Sequence, residues 1–170
     1  MHDDVSMPSS KLKEALAVEK VLDTAASEKE ELVLHPEKAN LAELLEEVVN
    51  IHKLNAPKPV SFDIYISLPD PEIMVDKTHL SNALSNLVDN AVKYSKEKAE
   101  ISIRCRREGN DLVIRIRDKG IGIPKAYQHN IFEKFFRVPT GNLHDVKGFG
   151  LGLSYVRSVV ERHHGTLRVQ

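Results

Sequence analysis

Only one of the 170 residues is a cysteine, Cys105. That excludes an internal disulfide framework and fits a reducing compartment. Its alternation with Ile101 and Ile103 marks a thiol buried on a strand rather than a reactive one. No apolar run approaches the ~20 residues needed to span a bilayer, and the first residues lack the apolar core of a signal peptide. The chain is therefore expected in the cytoplasm without membrane contact of its own, although a longer parent is free to carry an inner-membrane anchor. Charge of one sign is lacking too. With 24 basic and 25 acidic residues the formal charge is -1, so no polyelectrolyte partner is implied. Aromatics make up only 5% of the chain. No stacking aromatics interleave with Arg104, Arg106, Arg115 and Arg117, which argues against nucleic acid and for a solvated strand face. There is no internal repeat and no low-complexity tract.

What is present suits a soluble domain with a real core: 41% hydrophobic and 29% charged residues in a chain of ordinary domain length. Residues 1–10 are polar and end in PSS, which predicts a disordered tail. From Lys11, the residues Ala15, Val18, Leu22 and Ala25 recur at alternating steps of three and four. That narrow stripe predicts a coiled-coil-like helix over 11–34, a remnant of a hairpin whose other helix is missing. Leu41, Leu44, Leu45, Val48 and Val49 predict an amphipathic helix capped by Asn40 and ended by Pro57 and Pro59. VSFDIYISL alternates as a half-buried strand, a short IMV strand follows, and a long helix runs from about Asp76 to Tyr94.

EISIRCR and DLVIRIRDK then read as a hairpin turning at Glu108–Asp111. Ile101, Ile103, Leu112, Ile114 and Ile116 face one way and the arginines the other, as in an antiparallel pair covered on one side. Gly120 to about Lys147 is long and polar, with the FEKFF patch as its anchor, which suggests a lid. A last helix carries Leu153, Val156, Val159 and Val160 and stops at His163-His164-Gly165, before an incipient strand TLRVQ.

Three polar features ask for a ligand. On the long helix, Leu80, Leu84, Leu87 and Ala91 cluster on one side; Asn82, Asn86, Asn90 and Lys93 cluster on the opposite side, away from the core. Asn86 and Asn90 stand one turn apart, and alone they read equally as surface asparagines. Asp118-Lys119-Gly120-Ile121-Gly122-Ile123 follows a strand, placing one carboxylate acceptor beside backbone that a flat ligand can approach. Gly148-Phe149-Gly150-Leu151-Gly152 opens a helix whose bare N–H groups suit phosphate. Neither glycine segment is a Rossmann turn or a Walker loop.

In order and spacing, NLVDNAVKYS, DKGIGIP, FEKFFR and GFGLGL resemble the asparagine box, first glycine box, phenylalanine box and second glycine box of sensor histidine kinases. The resemblance covers Leu41 to about Leu167, and VEKVLDTAASEKEELVL resembles the end of that family's second dimerisation helix. It implies an α+β fold of the Bergerat type, a two-layer α/β sandwich with a mixed, mostly antiparallel sheet covered on one face by three helices. Residues 35–170 would form the ATP-binding catalytic domain, with a further C-terminal strand truncated. The implied cofactors are ATP and Mg²⁺. Asn90, assisted by Asn86, would hold the metal; Lys93 would pair with the phosphates and Tyr94 pack on ribose or base. Asp118 would accept from the adenine amine, Gly120 and Gly122 leave room for the base, and Ile123 form an apolar wall. Arg137 would reach the γ-phosphate, so that Arg137 and Lys93 are the catalytic candidates. Lys147, Gly148, Gly150, Leu151 and Gly152 would close over the triphosphate, and Phe132, Phe135 and Phe136 would anchor the lid.

The same fold serves ATPases that place a glutamate one turn before the metal asparagine as general base for water. Here that position is Asn86, and an amide takes no proton from water. The resemblance thus implies phosphoryl transfer to a histidine of a dimerisation hairpin, in a homodimeric parent with a response regulator downstream. The acceptor itself is missing: His2-Asp3-Asp4-Val5-Ser6-Met7-Pro8 places its proline one position too far. His35, His52, His79, His129 and His144 show no metal spacing and read as solvated or capping residues. A stand-alone ATPase or an anti-sigma-like serine kinase, and a non-catalytic nucleotide module, are the alternatives.

Overall fold

The structure, a computed structural model, describes residues 32–128, 130–133 and 152–170, together with the backbone of 2–7. The elements are β1 (His2–Met7), β2 (Glu37–Asn40), α1 (Leu41–Asn55), β3 (Val60–Ser67), β4 (Glu72–Val75), α2 (Lys77–Lys93), β5 (Ala99–Glu108), β6 (Asp111–Asp118), α3 (Gly152–Arg162) and β7 (Thr166–Val169). A 3₁₀ turn spans Lys125–Tyr127.

Five strands form one sheet in the order β3-β5-β6-β1-β7, and β2 pairs with β4 in a separate antiparallel ribbon. Only β3 and β5 run parallel, because α2 crosses between them; the other neighbours are antiparallel. The alternation read from sequence sets the faces. Ile101, Ile103, Cys105, Ile114 and Ile116 are buried beneath the helices, whereas Arg104 and Arg115, paired across the β5–β6 ladder, share the open face. Arg104 pairs there with Asp63 and Arg106 with Glu108, so the arginine face is largely self-neutralised. Burial also pushes the Cys105 thiol up to about 12, as befits a small core residue.

Helix α1 starts where Asn40 accepts the Glu43 N–H at 3.2 Å and buries Leu41, Leu44, Leu45, Val48 and Val49. The three helices lie on one face of the sheet, α2 between α1 and α3. Fully burying one leucine contributes roughly 1.5–3 kcal/mol, and Leu41, Leu44, Leu45, Leu80, Leu84 and Leu87 are all at or below 1% exposure. The fold is the mixed α+β sandwich with three covering helices.

One expectation is corrected, and a second is reached only at its end. Residues 2–7 form β1 instead of a tail, pairing with β6 from His2↔Arg117 to Met7↔Leu112 and with β7 from Asp3↔Val169 to Ser6↔Thr166. The backbone of β6 and β7 would otherwise face each other unpaired, and filling that row outweighs the weak pattern of a segment with only Val5 and Met7 as apolar alternates. The predicted helix over 11–34 lies outside the described residues except at its end. There residues 32–36 are not helical; Leu32 is buried and Leu34 packs on the same core, so this segment already belongs to the sandwich. TLRV forms β7, as a strand.

Candidate nucleotide-binding site

Helix α2 is the spine of the site. Asp76 caps it: Oδ1 accepts the His79 N–H at 2.9 Å and Oδ2 accepts the His35 N–H at 2.8 Å. One carboxylate thereby satisfies a first-turn donor and ties down the chain entering β2. The Asp76 N–H donates to His163 Nε2 at 3.3 Å, while His163 Nδ1 donates to the Val159 carbonyl at 2.7 Å. Both ring nitrogens of this buried imidazole are engaged in its neutral form, and burial lowers its pKa below the ordinary value. The left-handed residue after α3 is His164, with φ 62°, and not Gly165.

The polar side of α2 is not a free solvent face. Asn82, Asn86 and Asn90 are half-buried, and α3 packs against the first two. A Cβ on Gly152 would lie 3.7 Å from Asn86 Cγ and Oδ1. Asn82 Nδ2 stands 3.5 Å from the Tyr155 hydroxyl. Asn82 and Asn86 thus face α3 rather than open solvent, and Asn90, one turn further on, is half-buried. Of the histidines read as solvated or capping, two are side-chain partnered: His52 Nε2 meets Ser85 Oγ at 2.9 Å and His79 Nδ1 meets the Tyr155 hydroxyl at 2.6 Å, while His129 and His144 lie outside the described residues.

Lys93, in the last turn of α2, pairs with Asp89, Nζ to Oδ2 at 2.7 Å. Sequence reasoning missed Asp89, although its i,i+4 spacing from Lys93 was there to find. Such half-exposed pairs are worth only about 0.3–0.5 kcal/mol, so the ammonium is readily exchanged to another anion.

The helix ends at Tyr94, whose N–H donates to the Asn90 carbonyl at 3.0 Å and whose own carbonyl accepts the Ile121 N–H at 3.2 Å. The end of α2 is thus stitched to the segment after β6. A Cβ at Gly120 would stand 2.6 Å from Tyr94 O and 2.8 Å from Asp118 Oδ1. Asp118, the last residue of β6, accepts the Gly120 N–H through Oδ1 at 2.7 Å, and its Oδ2 is buried. The bareness of Gly120 is therefore used first by the fold itself, for passage beneath a carbonyl, rather than only as room for a ligand. Gly122 adopts φ 74°, a left-handed conformation that suits glycine. Ile123 is half-buried, and its carbonyl accepts from Gln128 Nε2 at 3.1 Å.

Asn86, Asn90 and Lys93 lie on the C-terminal half of α2, Asp118 and Gly120 meet its Tyr94 end, and Gly152 faces Asn86; Gly122 and Ile123 follow in the segment stitched there by the Ile121 N–H. Arg137, Lys147, Gly148, Gly150 and Leu151, with Phe135 and Phe136, lie outside the described residues. Phe132 is half-buried, and its neighbour Ile131 is buried at 3% exposure. Among the described residues no group of three or more His, Cys, Asp or Glu side chains is placed to hold a metal ion. No helix among them is long and apolar enough to cross a membrane.

Residues 75–170 match the family described as histidine kinase-, DNA gyrase B-, and HSP90-like ATPases. The sensor protein RprX of Bacteroides fragilis is 39% identical over 156 residues, which cover 90% of this chain and 30% of that protein. The sensor-like histidine kinase SenX3 of Mycobacterium tuberculosis is 37% identical over 129 residues, 74% of this chain and 31% of that protein. The chain thus spans about a third of the length of these relatives. Among solved structures, the mycobacterial sensor histidine kinase MprB superposes with a TM-score of 0.66 at 28% identity, covering 81% of this chain and 85% of that one. Full-length ShkA in complex with AMPPNP gives 0.69 at 26% identity, covering 84% of this chain and 29% of that one. With a family match over more than half its length, the chain belongs to the histidine kinase-, DNA gyrase B- and HSP90-like ATPases, and its relatives within them are sensor histidine kinases.

Proposed function

We propose that this chain binds Mg·ATP in the pocket between α2, the Asp118–Ile123 segment and α3, and that a longer parent uses it to phosphorylate a histidine. The observation that carries the reading is the meeting of Asp118, Gly120 and the Tyr94 carbonyl at the end of the helix that bears Asn86, Asn90 and Lys93. A carboxylate fixed by the Gly120 N–H offers its second, buried oxygen to the exocyclic amine of adenine; guanine presents a carbonyl there. The amide oxygens of Asn86 and Asn90 are hard donors suited to sharing Mg²⁺ with phosphate oxygens. Bound there, the ion would neutralise phosphate charge.

The residues of the chain then do the positioning. Lys93 exchanges Asp89 for a phosphate oxygen, and Arg137 meets the γ-phosphate with a planar guanidinium. Transfer forms a bond from an imidazole nitrogen to the γ-phosphorus and breaks the bond to the β-bridging oxygen, leaving ADP; catalysis is mostly orientation and charge stabilisation. Asn86 stands where hydrolytic members of the fold carry a base, so water is not activated and the phosphoryl group goes to the protein acceptor. The acceptor is the dimerisation hairpin of a homodimeric parent, with a response regulator downstream.

Titration calorimetry tests the pocket. Mg·ATP should bind in the micromolar range, Mg·GTP poorly, and Asp118→Asn should abolish the preference; equal binding of both nucleotides removes Asp118 from the adenine role. Mixed with a separately made acceptor hairpin, the protein should give acid-labile phosphohistidine, whereas acid-stable phosphate alone points to the serine-kinase alternative.

A further inference from the structure

We propose that the Tyr155 hydroxyl is a positioning group for the phosphate end of the nucleotide, acting through the asparagine row; the inference rests on the nucleotide reading above. Tyr155 lies in the first turn of α3 and is 5% exposed. Its hydroxyl stands 2.6 Å from His79 Nδ1 and 3.5 Å from Asn82 Nδ2, with the two rings 5.9 Å apart and tilted by 49°. A buried phenol needs a polar partner, and here the partners sit one turn apart on α2. One turn further along both helices Gly152 faces Asn86, where a Cβ added to the glycine would lie 3.7 Å from the Asn86 amide. The contacts run in register from His79 and Asn82 against Tyr155 to Asn86 against Gly152. Continued in the same direction, that line arrives at Asn90.

Asn82 gives the second observation. Its Oδ1 is buried and has no hydrogen-bond partner among the described residues, while its Nδ2 makes only a long contact to the phenol. A buried acceptor left this way is costly and calls for a reason. An amide there only to pack two helices gains nothing over a leucine. An amide kept at the head of the asparagine row, and oriented by Tyr155, fixes how closely α3 approaches that row. Removing the hydroxyl frees the first turn of α3 to shift against Asn86. The adenine end, held by Asp118 and the Tyr94 carbonyl at the opposite end of α2, should not respond.

Binding of Mg·ATP and of AMP, which carries the base and a single phosphate, separates this role from a general structural one. Tyr155→Phe keeps the ring and should weaken Mg·ATP roughly five- to tenfold, the scale of one well-placed hydrogen bond. AMP affinity should stay within about twofold, and His79→Phe should reproduce the pattern. Ser158→Ala, which removes a hydroxyl that bonds only along α3 to Ser154 at 3.1 Å, serves as the control. In nucleotide-free protein, amide exchange at Val156 and Arg157 should quicken in Tyr155→Phe. Unchanged Mg·ATP affinity, or a parallel loss of AMP, overturns the inference. Wild-type protein that binds neither nucleotide overturns the pocket reading itself and this inference with it, a result distinct from normal wild-type binding with unaltered variants.

Discussion

Gly120→Ala is the sharpest single perturbation of this molecule. Its new methyl would stand 2.6 Å from the Tyr94 carbonyl oxygen, 3.2 Å from the Tyr94 carbonyl carbon and 2.8 Å from Asp118 Oδ1. None of these neighbours yields cheaply. The Tyr94 carbonyl ends a helix and holds the Ile121 N–H at 3.2 Å, and Asp118 Oδ1 holds the Gly120 N–H at 2.7 Å. Reaching an ordinary contact of about 3.4 Å needs a displacement of about 0.8 Å. Overpacking of that kind costs ~1–3 kcal/mol, and each hydrogen bond stretched in consequence adds about 1 kcal/mol. At ~2–4 °C per kcal/mol for a domain of this size, Tm should fall by about 5–15 °C. Gly122→Ala is the control: nothing lies within 4 Å of its Cβ, so only the φ of 74° opposes it, at about 1–2 kcal/mol. Urea midpoints and Mg·ATP titrations on both variants decide the matter. Should Gly120→Ala unfold no earlier than Gly122→Ala and still bind Mg·ATP within about twofold of wild type, the proposed clamp on the Asp118 carboxylate is wrong.

Two further predictions concern buried titrating groups. Burial lowers the His163 pKa from its ordinary 6.5, so the unfolded chain takes up the proton first as pH falls. Its stabilisation is complete above about pH 6.5 and declines below it, toward the lowered folded value. Urea midpoints measured at about pH 7.5 and 5.5 should drop less in His163→Gln than in wild type; equal drops would clear the imbalance of blame on this imidazole. For Cys105 the sign is opposite in pH. With the thiol raised from 9.0 to about 12, the unfolded chain ionises first, and stability is lost as pH rises above 9.0 toward 12. Native protein should resist a thiol reagent at about pH 8 and react on addition of urea; prompt native labelling would contradict the burial.

Much of the sandwich was legible because its strands and helices have clean periods. The alternation of Ile101, Ile103 and Cys105, the opposed arginines and the 3.6-residue spacing of Leu80, Leu84, Leu87 and Ala91 each specify a face. Asn40 and the turn at Glu108–Asp111 marked boundaries by their own chemistry. What escaped lacks local signal. Strand β2 buries one residue, Ala39, in four, and its pairing with β4 is decided by the partner. Strand β1 is placed by two open edges more than a hundred residues away, and no periodicity within HDDVSM announces it. In the site, the asparagines and Asp118 could be read as types at spacings. The Tyr94 carbonyl could not, because every residue has one and only the fold decides which carbonyl meets Gly120. The pairing of His79 with Tyr155 joins residues 76 positions apart, and neither side chain alone advertises the other.

The two ends of the pocket are built by different means, and on the nucleotide reading that difference matches what each must do. At the base end, every contact passes through backbone: Gly120 N–H to Asp118, Ile121 N–H to the Tyr94 carbonyl, and the bare Cα of Gly120 beneath that carbonyl. The backbone part of that geometry cannot adjust by rotamer, and the Gly120 N–H holds the one side chain in it, the Asp118 carboxylate, so a base with the wrong donor pattern meets a constrained acceptor rather than a yielding one. At the phosphate end the groups are side chains: two amides on a helix face and an ammonium held by a half-exposed carboxylate at 2.7 Å. The Lys93–Asp89 pair has little net worth, so trading it for a phosphate oxygen leaves most of the new interaction available for binding. A phosphoryl group that must leave for another domain is better served by contacts that can be exchanged than by a rigid cage. On the nucleotide reading, adenine selection falls to the end of β6 and exchange of the phosphate contacts to the polar row of α2.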